Sequence, residues 1–234
     1  PNLLTLMNLL CGSFAVVAAL MYNDLTLAFW LIVAGIVFDF FDGFVARLLH
    51  SPSAIGVQLD SLADVITSGL APAAVLWQVC LQTEPCWLPE AWKLGYGVFV
   101  LAAFSALRLA KFNIDETQTV EFCGLPTPAG SLLCASLGML WQQGMLALSS
   151  DGVLLIAVLT SLLLVSPIRM FALKFHGFGW RGNEVRYLFL LASIVLIIIL
   201  RTYAIPVIIV LYIVVSAVRW LCMRSGNPDK APKA

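Results

Sequence analysis

Eight long apolar stretches follow one another along the chain, and short polar, Gly or Pro segments separate them. Most of the stretches reach the roughly 20 residues that an α-helix needs to cross about 30 Å of hydrocarbon. They cover residues 3–22, 25–49, 61–81, 93–113, 129–148, 152–173, 186–201 and 203–222. The pattern predicts an all-α fold, a polytopic transmembrane bundle of about eight helices. We expect a single integral-membrane domain over residues 1–224 and a polar tail over 225–234.

Composition agrees with a membrane protein and excludes other classes. Of the 234 residues, 61% are hydrophobic and 11% are charged, and the net charge is zero. A neutral chain lacks the basic surface that nucleic-acid binding requires, so no nucleic-acid partner is expected. The six cysteines form no C-x2-C pair, which argues against a zinc site. A disulfide between Cys80 and Cys86 stays open at this point.

The positions of the basic residues predict the orientation in the membrane. If both termini are cytoplasmic, all of the 13 Lys and Arg residues except Lys93 and Arg201 lie on the cytoplasmic side. Such a bias is typical of cytoplasmic loops and indicates an even number of crossings. It also places the end of the second predicted helix and the start of the third toward the cytoplasm.

Four acids stand out in this apolar chain: Asp39, Asp42, Asp60 and Asp64. Residues three or four apart share one face of a helix, so each pair points in one direction. A short turn between the two helices would aim all four carboxylates into one space. Four carboxylates in an apolar setting repel one another unless cations lie between them. Oxygen ligands suit Mg²⁺, Mn²⁺ or Ca²⁺, and two adjacent ions are a device for phosphoryl transfer.

The neighbours of the acids favour a phosphate-bearing substrate. Gly43 and Ala46 share the acidic face and add little bulk, so a phosphate or nucleotide has room close to the backbone. Arg47, at the edge of that face, offers a planar cationic group to phosphate oxygens.

A purely structural role and a transport role both fit the acids less well. Structural acids, paired with Arg47 or facing a wet cavity, are disfavoured because four intramembrane acids at this spacing are costly and usually functional. A divalent-cation transporter would carry its site near the midplane, often in repeated halves. Here the acids lie toward one face, and the sequence has no convincing internal repeat.

The motif D-x2-D-G-x2-A-R-x8-G-x3-D-x3-D resembles the signature of the CDP-alcohol phosphotransferases, membrane enzymes that move a phosphoalkyl group from a CDP-linked donor to an alcohol. Its eight fixed positions are all present, as Asp39, Asp42, Gly43, Ala46, Arg47, Gly56, Asp60 and Asp64. The resemblance implies a six-helix core, here with two further helices, and a homodimer. It also implies two divalent ions, Mg²⁺ or Mn²⁺, held by the four acids, with Asp64 as catalytic base for the acceptor hydroxyl.

The resemblance also assigns residues to the CDP group. The family carries a P-N-x-x-T segment that lines the cytidine pocket, which Asn2 and Thr5 match. Ser53 lies in the turn between helices two and three, where the family has a nucleotide-contacting residue. Together with these, the substrate-binding positions of the motif are Gly43, Ala46, Arg47 and Gly56.

Two later segments resemble the phosphatidylserine synthase branch of the family: the end of helix four, with Arg108, Lys111 and Asn113, and the sequence GLPTPA from Gly124. That branch implies CDP-diacylglycerol as donor and L-serine as acceptor. Arg108 and Lys111 are either positive-inside anchors or ligands for an anionic group such as the acceptor carboxylate or the donor phosphates, and Asn113 could add an amide. On the second interpretation, Arg108 and Asn113 are predicted to lie on the serine side. A sibling enzyme that uses glycerol 3-phosphate, inositol or inositol phosphate is the alternative. We expect an integral protein of a prokaryotic cell membrane, with its active site facing the cytoplasm.

Overall fold

The computed structural model describes residues 1–49, 54–87, 95–114, 121–171 and 183–226. Its α-helices are α1 Asn2–Leu20, α2 Leu25–Leu48, α3 Ala54–Asp64, α4 Ala71–Gln82, α5 Val100–Ile114, α6 Thr127–Gln142, α7 Ser150–Leu164, α8 Glu184–Leu200 and α9 Ala204–Gly226. A π-helical segment, Val65–Leu70, joins α3 to α4. Short 3₁₀ turns, Gly95–Phe99 and Arg201–Tyr203, precede α5 and α9.

The all-α prediction is confirmed, since each of the eight predicted stretches contains a helix. Within the described residues, five runs are long and apolar enough to cross a membrane by length and composition. These runs are Asn2–Leu20, Leu25–Leu48, Ile55–Gln82, Gly95–Ile114 and Glu184–Cys222. The chain is therefore an integral membrane protein with a helical bundle, whereas eight crossings stay a prediction. The predicted tail begins inside α9, and residues 227–234 lie outside the described part.

Local sequence signals explain where several helices begin. The Asp24 carboxylate accepts a hydrogen bond from the Leu27 backbone N–H at 2.8 Å and so caps α2. Ser149 caps α7 in the same way, through the N–H of Gly152. Pro72 and Pro128 lie in the first turns of α4 and α6, where a missing N–H costs nothing.

Helix α1 lies at the centre of the part of the bundle that carries the acids. It packs against α2, α3, the π-helical segment and α4. Small buried residues, among them Ala15, Ala18 and Ala19, line its contacts. Small side chains let helix backbones approach closely, which is how helices associate inside a membrane. The polar face of α1 is thereby held directly against the acidic helices.

The connections after α5 and α7 meet in a short antiparallel strand pair, which the hydropathy pattern did not predict. Strands β1 Glu121–Cys123 and β2 Arg169–Phe171 pair with Phe122 opposite Met170. Gly124 follows β1 with a φ of +78°, and a Cβ there would lie 2.2 Å from the Leu164 carbonyl oxygen. Only glycine fits that position without a backbone shift. The pair therefore fixes the start of α6 against the end of α7.

Cys80 is buried and Cys86 is exposed, and both thiols are free. The disulfide that the sequence left open is not formed in this structure. Instead, the Asp151 carboxylate accepts hydrogen bonds from the backbone N–H groups of Cys86 and Trp87, at 3.1 and 2.7 Å. These bonds tie the segment after α4 to the start of α7.

Candidate active site

Three of the four acids of the motif converge where α2 meets α3. Carboxylate oxygens of Asp39, Asp42 and Asp60 all lie within 4.8 Å of one another. Asp42 is buried, at 6% exposure, and the other two are half-buried. The spacing along each helix puts the side chains on one face, and α2 and α3 both pack against α1, which brings the two faces together.

The donor set of this group fits a hard divalent cation. Three carboxylates so close together carry like charges, and a cation between them removes the repulsion. One oxygen of Asp60, Oδ1, is buried and has no hydrogen-bond partner among the described residues. An orphaned carboxylate oxygen beside two other carboxylates is the arrangement that Mg²⁺ or Mn²⁺ can satisfy with oxygen ligands.

Asp64 lies next to this group but is not one of the three acids that lie within 4.8 Å of one another. It is buried, at 8% exposure. Its Oδ1 accepts a hydrogen bond of 3.1 Å from Nδ2 of Asn8. Asp64 was predicted to have two roles, metal ligand and base, and the structure shows one of its oxygens engaged by α1.

The two residues of α1 that were predicted to contact the nucleotide differ in their surroundings: Thr5 bonds an acid and Asn2 lies at the surface. Thr5 is buried, and its hydroxyl donates a hydrogen bond of 2.5 Å to Oδ2 of Asp42. Asn2 is exposed at the first position of α1, and Pro1 rather than Asn2 is the N-cap. The two residues predicted to line one pocket for the nucleotide therefore have different surroundings, because Thr5 binds an acid.

The small residues of the motif leave open space beside the acids. A Cβ on Gly43 would meet no described atom within 4 Å beyond the neighbouring backbone of its own helix. Ala46 and Gly56 are half-buried. Arg47 is exposed, and its Nε donates to the Gly43 carbonyl at 2.9 Å, which holds the guanidinium along this face. Ser53, the predicted nucleotide contact in the turn between the acidic helices, lies outside the described residues.

Arg108 lies in a second polar region, at the end of α5. It is buried at 8% exposure, and its Nη1 donates to the Thr127 hydroxyl at 3.0 Å. Its Nε is buried and has no hydrogen-bond partner among the described residues. Arg108 is close enough to Asp64 for the two charges to interact. It borders a cavity of about 300 Å³, lined by Arg108, Lys111, Phe112, Ile114, Cys123, Leu164, Val165 and Ser166.

Asn113 does not share this cavity with Arg108. Its side chain is exposed, and its Nδ2 donates to the Ser61 hydroxyl at 2.7 Å, which links the end of α5 to α3. Lys111 and Ser166 line the cavity instead. The structure therefore does not bring the side chains of Arg108 and Asn113 together around one cavity.

Two residues that contact the acidic helices were not predicted from the sequence. Asn8 contacts Asp64, and Thr67 donates from its hydroxyl to the backbone carbonyl of Asn8 at 3.0 Å. A signal for Asn8 was available, since Asn2, Thr5 and Asn8 recur every three residues. Thr67, three residues after Asp64, carried no comparable signal in an apolar stretch.

Comparisons with known proteins agree with the motif. A family model described as CDP-alcohol phosphatidyltransferase matches residues 1–166. A CDP-diacylglycerol–serine O-phosphatidyltransferase of Bacillus subtilis is 33% identical over 177 residues, which cover 76% of this chain and 92% of the relative. A protein of the same name from Helicobacter pylori is 30% identical, over 94% of this chain and 90% of the relative. Another from Mycobacterium tuberculosis is 33% identical, over 100% of this chain and 84% of the relative.

Proposed function

The chain belongs to the CDP-alcohol phosphatidyltransferase family, and from that premise we propose that it transfers the phosphatidyl group of CDP-diacylglycerol to L-serine. The products are phosphatidylserine and CMP. The observation that carries the proposal is the convergence of Asp39, Asp42 and Asp60 beside Asp64, inside an apolar bundle. Relatives that match most of the chain are named for the same reaction, which supports serine as the acceptor.

In this reaction the serine hydroxyl oxygen attacks the phosphorus that carries the diacylglycerol. A new P–O bond forms to serine, and the P–O bond to CMP breaks. Asp64 takes the proton of the serine hydroxyl, since a positioned carboxylate can accept a proton that is lost late in a loose transition state. Oδ1 of Asp64 already accepts a hydrogen bond from Asn8, which makes that oxygen less basic, so we assign the role of base to Oδ2.

The acids also hold the metal ions of the proposed enzyme. Asp39, Asp42 and Asp60, with Asp64 as a further ligand, would bind two divalent cations, Mg²⁺ or Mn²⁺. Bound there, the ions supply positive charge to the phosphate oxygens of the donor. The Thr5 hydroxyl orients Asp42 through its 2.5 Å hydrogen bond.

The face of α2 beyond the acids would bind the CDP group. The open space at Gly43 lets a phosphate approach the helix backbone, and Arg47 is held next to that space by its bond to the Gly43 carbonyl. Since Nε is used in that bond, the terminal nitrogens of Arg47 would bind the phosphate. The remaining proposed contacts to the CDP group are Asn2, Thr5, Ala46, Ser53 and Gly56.

The cavity beside Arg108 would hold the serine. A buried guanidinium whose Nε has no partner among the described residues is suited to a carboxylate, and serine brings one. Lys111 adds a second positive charge to the cavity. Asn113 lies outside this cavity, and we propose that it acts on the serine side only indirectly, through its bond to Ser61, which neighbours Asp60 along α3.

We place the site on the cytoplasmic side of a prokaryotic cell membrane, in a homodimer. The orientation rests on the distribution of Lys and Arg, and water-soluble serine and CMP would then exchange with the cytoplasm. The homodimer rests on the family resemblance alone. Cysteine labelling from each side of the membrane and cross-linking in detergent test the two statements separately.

The acceptor is tested by measuring CMP release from CDP-diacylglycerol with purified protein and Mn²⁺ or Mg²⁺. L-Serine is compared with glycerol 3-phosphate, inositol and inositol phosphate. Release stimulated by serine alone supports the proposal. Release with another alcohol assigns the chain to a sibling enzyme of the same family. If folded protein releases no CMP with any acceptor, cation flux in proteoliposomes tests the transporter alternative.

A further inference from the structure

One residue of α1, Asn8, is in contact with the acidic helix at two points. Asn8 is fully buried, and its Nδ2 donates to Oδ1 of Asp64 at 3.1 Å. Its backbone carbonyl accepts a hydrogen bond of 3.0 Å from the hydroxyl of Thr67. Thr67 is itself buried and lies in the π-helical segment that begins directly after Asp64. Both the carboxylate of Asp64 and the turn that follows it are thus attached to the same position of α1.

Two glycines shape the space in which this contact forms. A Cβ on Gly12 of α1 would lie 2.3 Å from the Thr67 hydroxyl oxygen and 2.7 Å from the Thr67 Cα. A Cβ on Gly35 of α2 would lie 2.6 Å from Cγ2 of Thr67 and 2.9 Å from Oδ1 of Asn8. Real Cβ atoms do not approach so closely, so Asn8 and Thr67 fit a slot that only glycine leaves open. The slot restricts the rotamers of both side chains.

The hydrogen bonding of Asn8 indicates that this residue orients the carboxylate of Asp64 and is not there to stabilise the fold. Its Oδ1 is buried and has no hydrogen-bond partner among the described residues. Leaving a buried acceptor unsatisfied is unfavourable, and an apolar residue of similar size would avoid that cost. A side chain selected for packing alone would have no need of an amide here.

π-Helical segments interrupt a helix at an energetic cost and recur at functional sites. In this chain the segment starts at Val65 and closes with the Ala71 N–H bonded to the Ile66 carbonyl. It redirects the helix just after Asp64 and brings Thr67 toward α1, where it meets Asn8. The two hydrogen bonds and the break in the helix therefore form one local arrangement around Asp64.

We propose that Asn8 is a positioning residue for Asp64: it binds Oδ1 and so turns Oδ2 toward the other three acids, and Thr67 fixes Asn8 in place. This inference rests on the proposed function, in which Oδ2 works on the acceptor proton and the metal. It assigns to the middle of α1 a role separate from the nucleotide contacts proposed at Asn2 and Thr5.

Asn8→Leu tests the proposal, because leucine has the same branched arrangement of side-chain heavy atoms as asparagine and removes both the donor and the orphaned oxygen. Partners that orient ligand carboxylates typically contribute about 10- to 100-fold to activity or metal affinity. We expect kcat to fall by that factor, with the KM for CDP-diacylglycerol changed less than about 3-fold. The thermal unfolding midpoint should change little, because the cost of leaving Oδ1 of Asp64 without its donor is offset by removal of the orphaned oxygen of Asn8. Ser13→Ala is the matched control, since Ser13 bonds the Leu9 carbonyl of its own helix, and it should leave kcat unchanged.

Thr67→Val is the second variant, because it keeps the shape of Thr67 and removes only its bond to Asn8. We expect a smaller fall in kcat than for Asn8→Leu, in the same direction. If Asn8→Leu keeps kcat within about 3-fold of the wild type, the positioning role is refuted. The role would also be refuted if both variants showed a lower kcat, a higher KM and a lower thermal midpoint by similar extents. That is the result expected of a purely structural contact.

A titration with Mn²⁺ in the absence of substrates separates this inference from the proposed function. Binding is followed by the rise in thermal midpoint. We expect Asn8→Leu to weaken Mn²⁺ binding by about 3- to 10-fold relative to Ser13→Ala, because one of the four acids is no longer oriented. Unchanged Mn²⁺ affinity together with unchanged kcat would overturn the role of Asn8. A wild-type protein that binds Mn²⁺ but transfers nothing to serine would instead overturn the proposed acceptor, and the titration would still report on Asn8.

Discussion

The substitution Gly43→Ala should raise the stability of the protein and lower its activity. Gly43 lies in the interior of α2, one turn after Asp39, and a Cβ there meets no described atom within 4 Å beyond the neighbouring helix backbone. Replacing an interior helical glycine by alanine is worth about 0.5–1 kcal/mol when no clash results. For a chain of this size that corresponds to a rise in the unfolding midpoint of roughly 1–4 °C.

Activity should change in the opposite direction, because the new methyl group occupies space that we assign to the phosphates of the donor. A displacement of about 1 Å at a reacting centre can cost on the order of 100-fold in rate. We expect kcat/KM for CDP-diacylglycerol to fall by about 10- to 100-fold in Gly43→Ala, and further in Gly43→Val. The assay is CMP release in detergent micelles, and the midpoint is measured in the same detergent without substrate.

Gly12→Ala is the matched control, since it makes the same chemical change in a filled position. A Cβ at Gly12 would lie 2.3 and 2.7 Å from atoms of Thr67, one of them backbone. Overpacking of this kind costs about 1–3 kcal/mol, so stability and activity should fall together. If Gly43→Ala were as active as the wild type, the donor would not lie against α2 at this point, and the assignment of that face would be wrong.

Three further variants test the other assigned groups. Asp64→Asn keeps an oxygen for the hydrogen bond from Asn8, so we expect turnover to be abolished while binding of CDP-diacylglycerol is retained; a near-normal rate would remove Asp64 as the base. Arg108→Gln should raise the KM for serine by roughly 10- to 100-fold, since a charged hydrogen bond contributes about 1.5–3 kcal/mol. Thr127→Val is its control, because it breaks only the bond between Thr127 and Arg108. We expect Thr127→Val to change the KM for serine by less than about 3-fold. Equal effects of these two variants would contradict a serine site at Arg108. Asp60→Asn should increase the Mn²⁺ concentration for half-maximal activity by about 10-fold or more, and an unchanged requirement would exclude Asp60 as a ligand.

The acidic group could be predicted from the sequence because its geometry is mostly local. Asp39 and Asp42 are three residues apart, and that spacing alone places them on one face of α2. The close approach of Asp60 to this pair requires in addition that α2 and α3, which follow each other in the sequence, both pack against α1. The apolar stretches were predictable for the same reason, since hydropathy and length are properties of short windows.

Features that depend on contacts between distant helices were not predictable. The pairing of Asn8 with Thr67 requires the slot at Gly12 and Gly35, and no local pattern specifies which helices meet there. Asn113 was grouped with Arg108 because both are polar and close in sequence at the end of α5. Five residues apart on a helix, they point to different sides, and the structure directs Asn113 to Ser61.

The strand pair and the break in the third predicted helix were missed for a related reason. Residues Glu121–Cys123 and Arg169–Phe171 are too short to carry a strand pattern, and they pair only because α6 and α7 bring their ends together. Within the run Ile55–Gln82, hydropathy shows one continuous apolar helix, and a single wider turn at Val65–Leu70 leaves no mark in composition.

The central claim is that the acidic cluster transfers a phosphatidyl group to serine, and it is tested most directly by following radiolabelled L-serine into lipid. Purified protein is incubated with CDP-diacylglycerol and Mn²⁺, with and without a chelator, beside the Asp64→Asn variant. For the wild-type protein we predict radiolabel in the organic phase, together with an equal amount of CMP. The labelled lipid should not form with the chelator and should form again when Mn²⁺ is added back. The Asp64→Asn variant should form none. Folded wild-type protein that releases CMP with another alcohol but never places serine in lipid would contradict the claim.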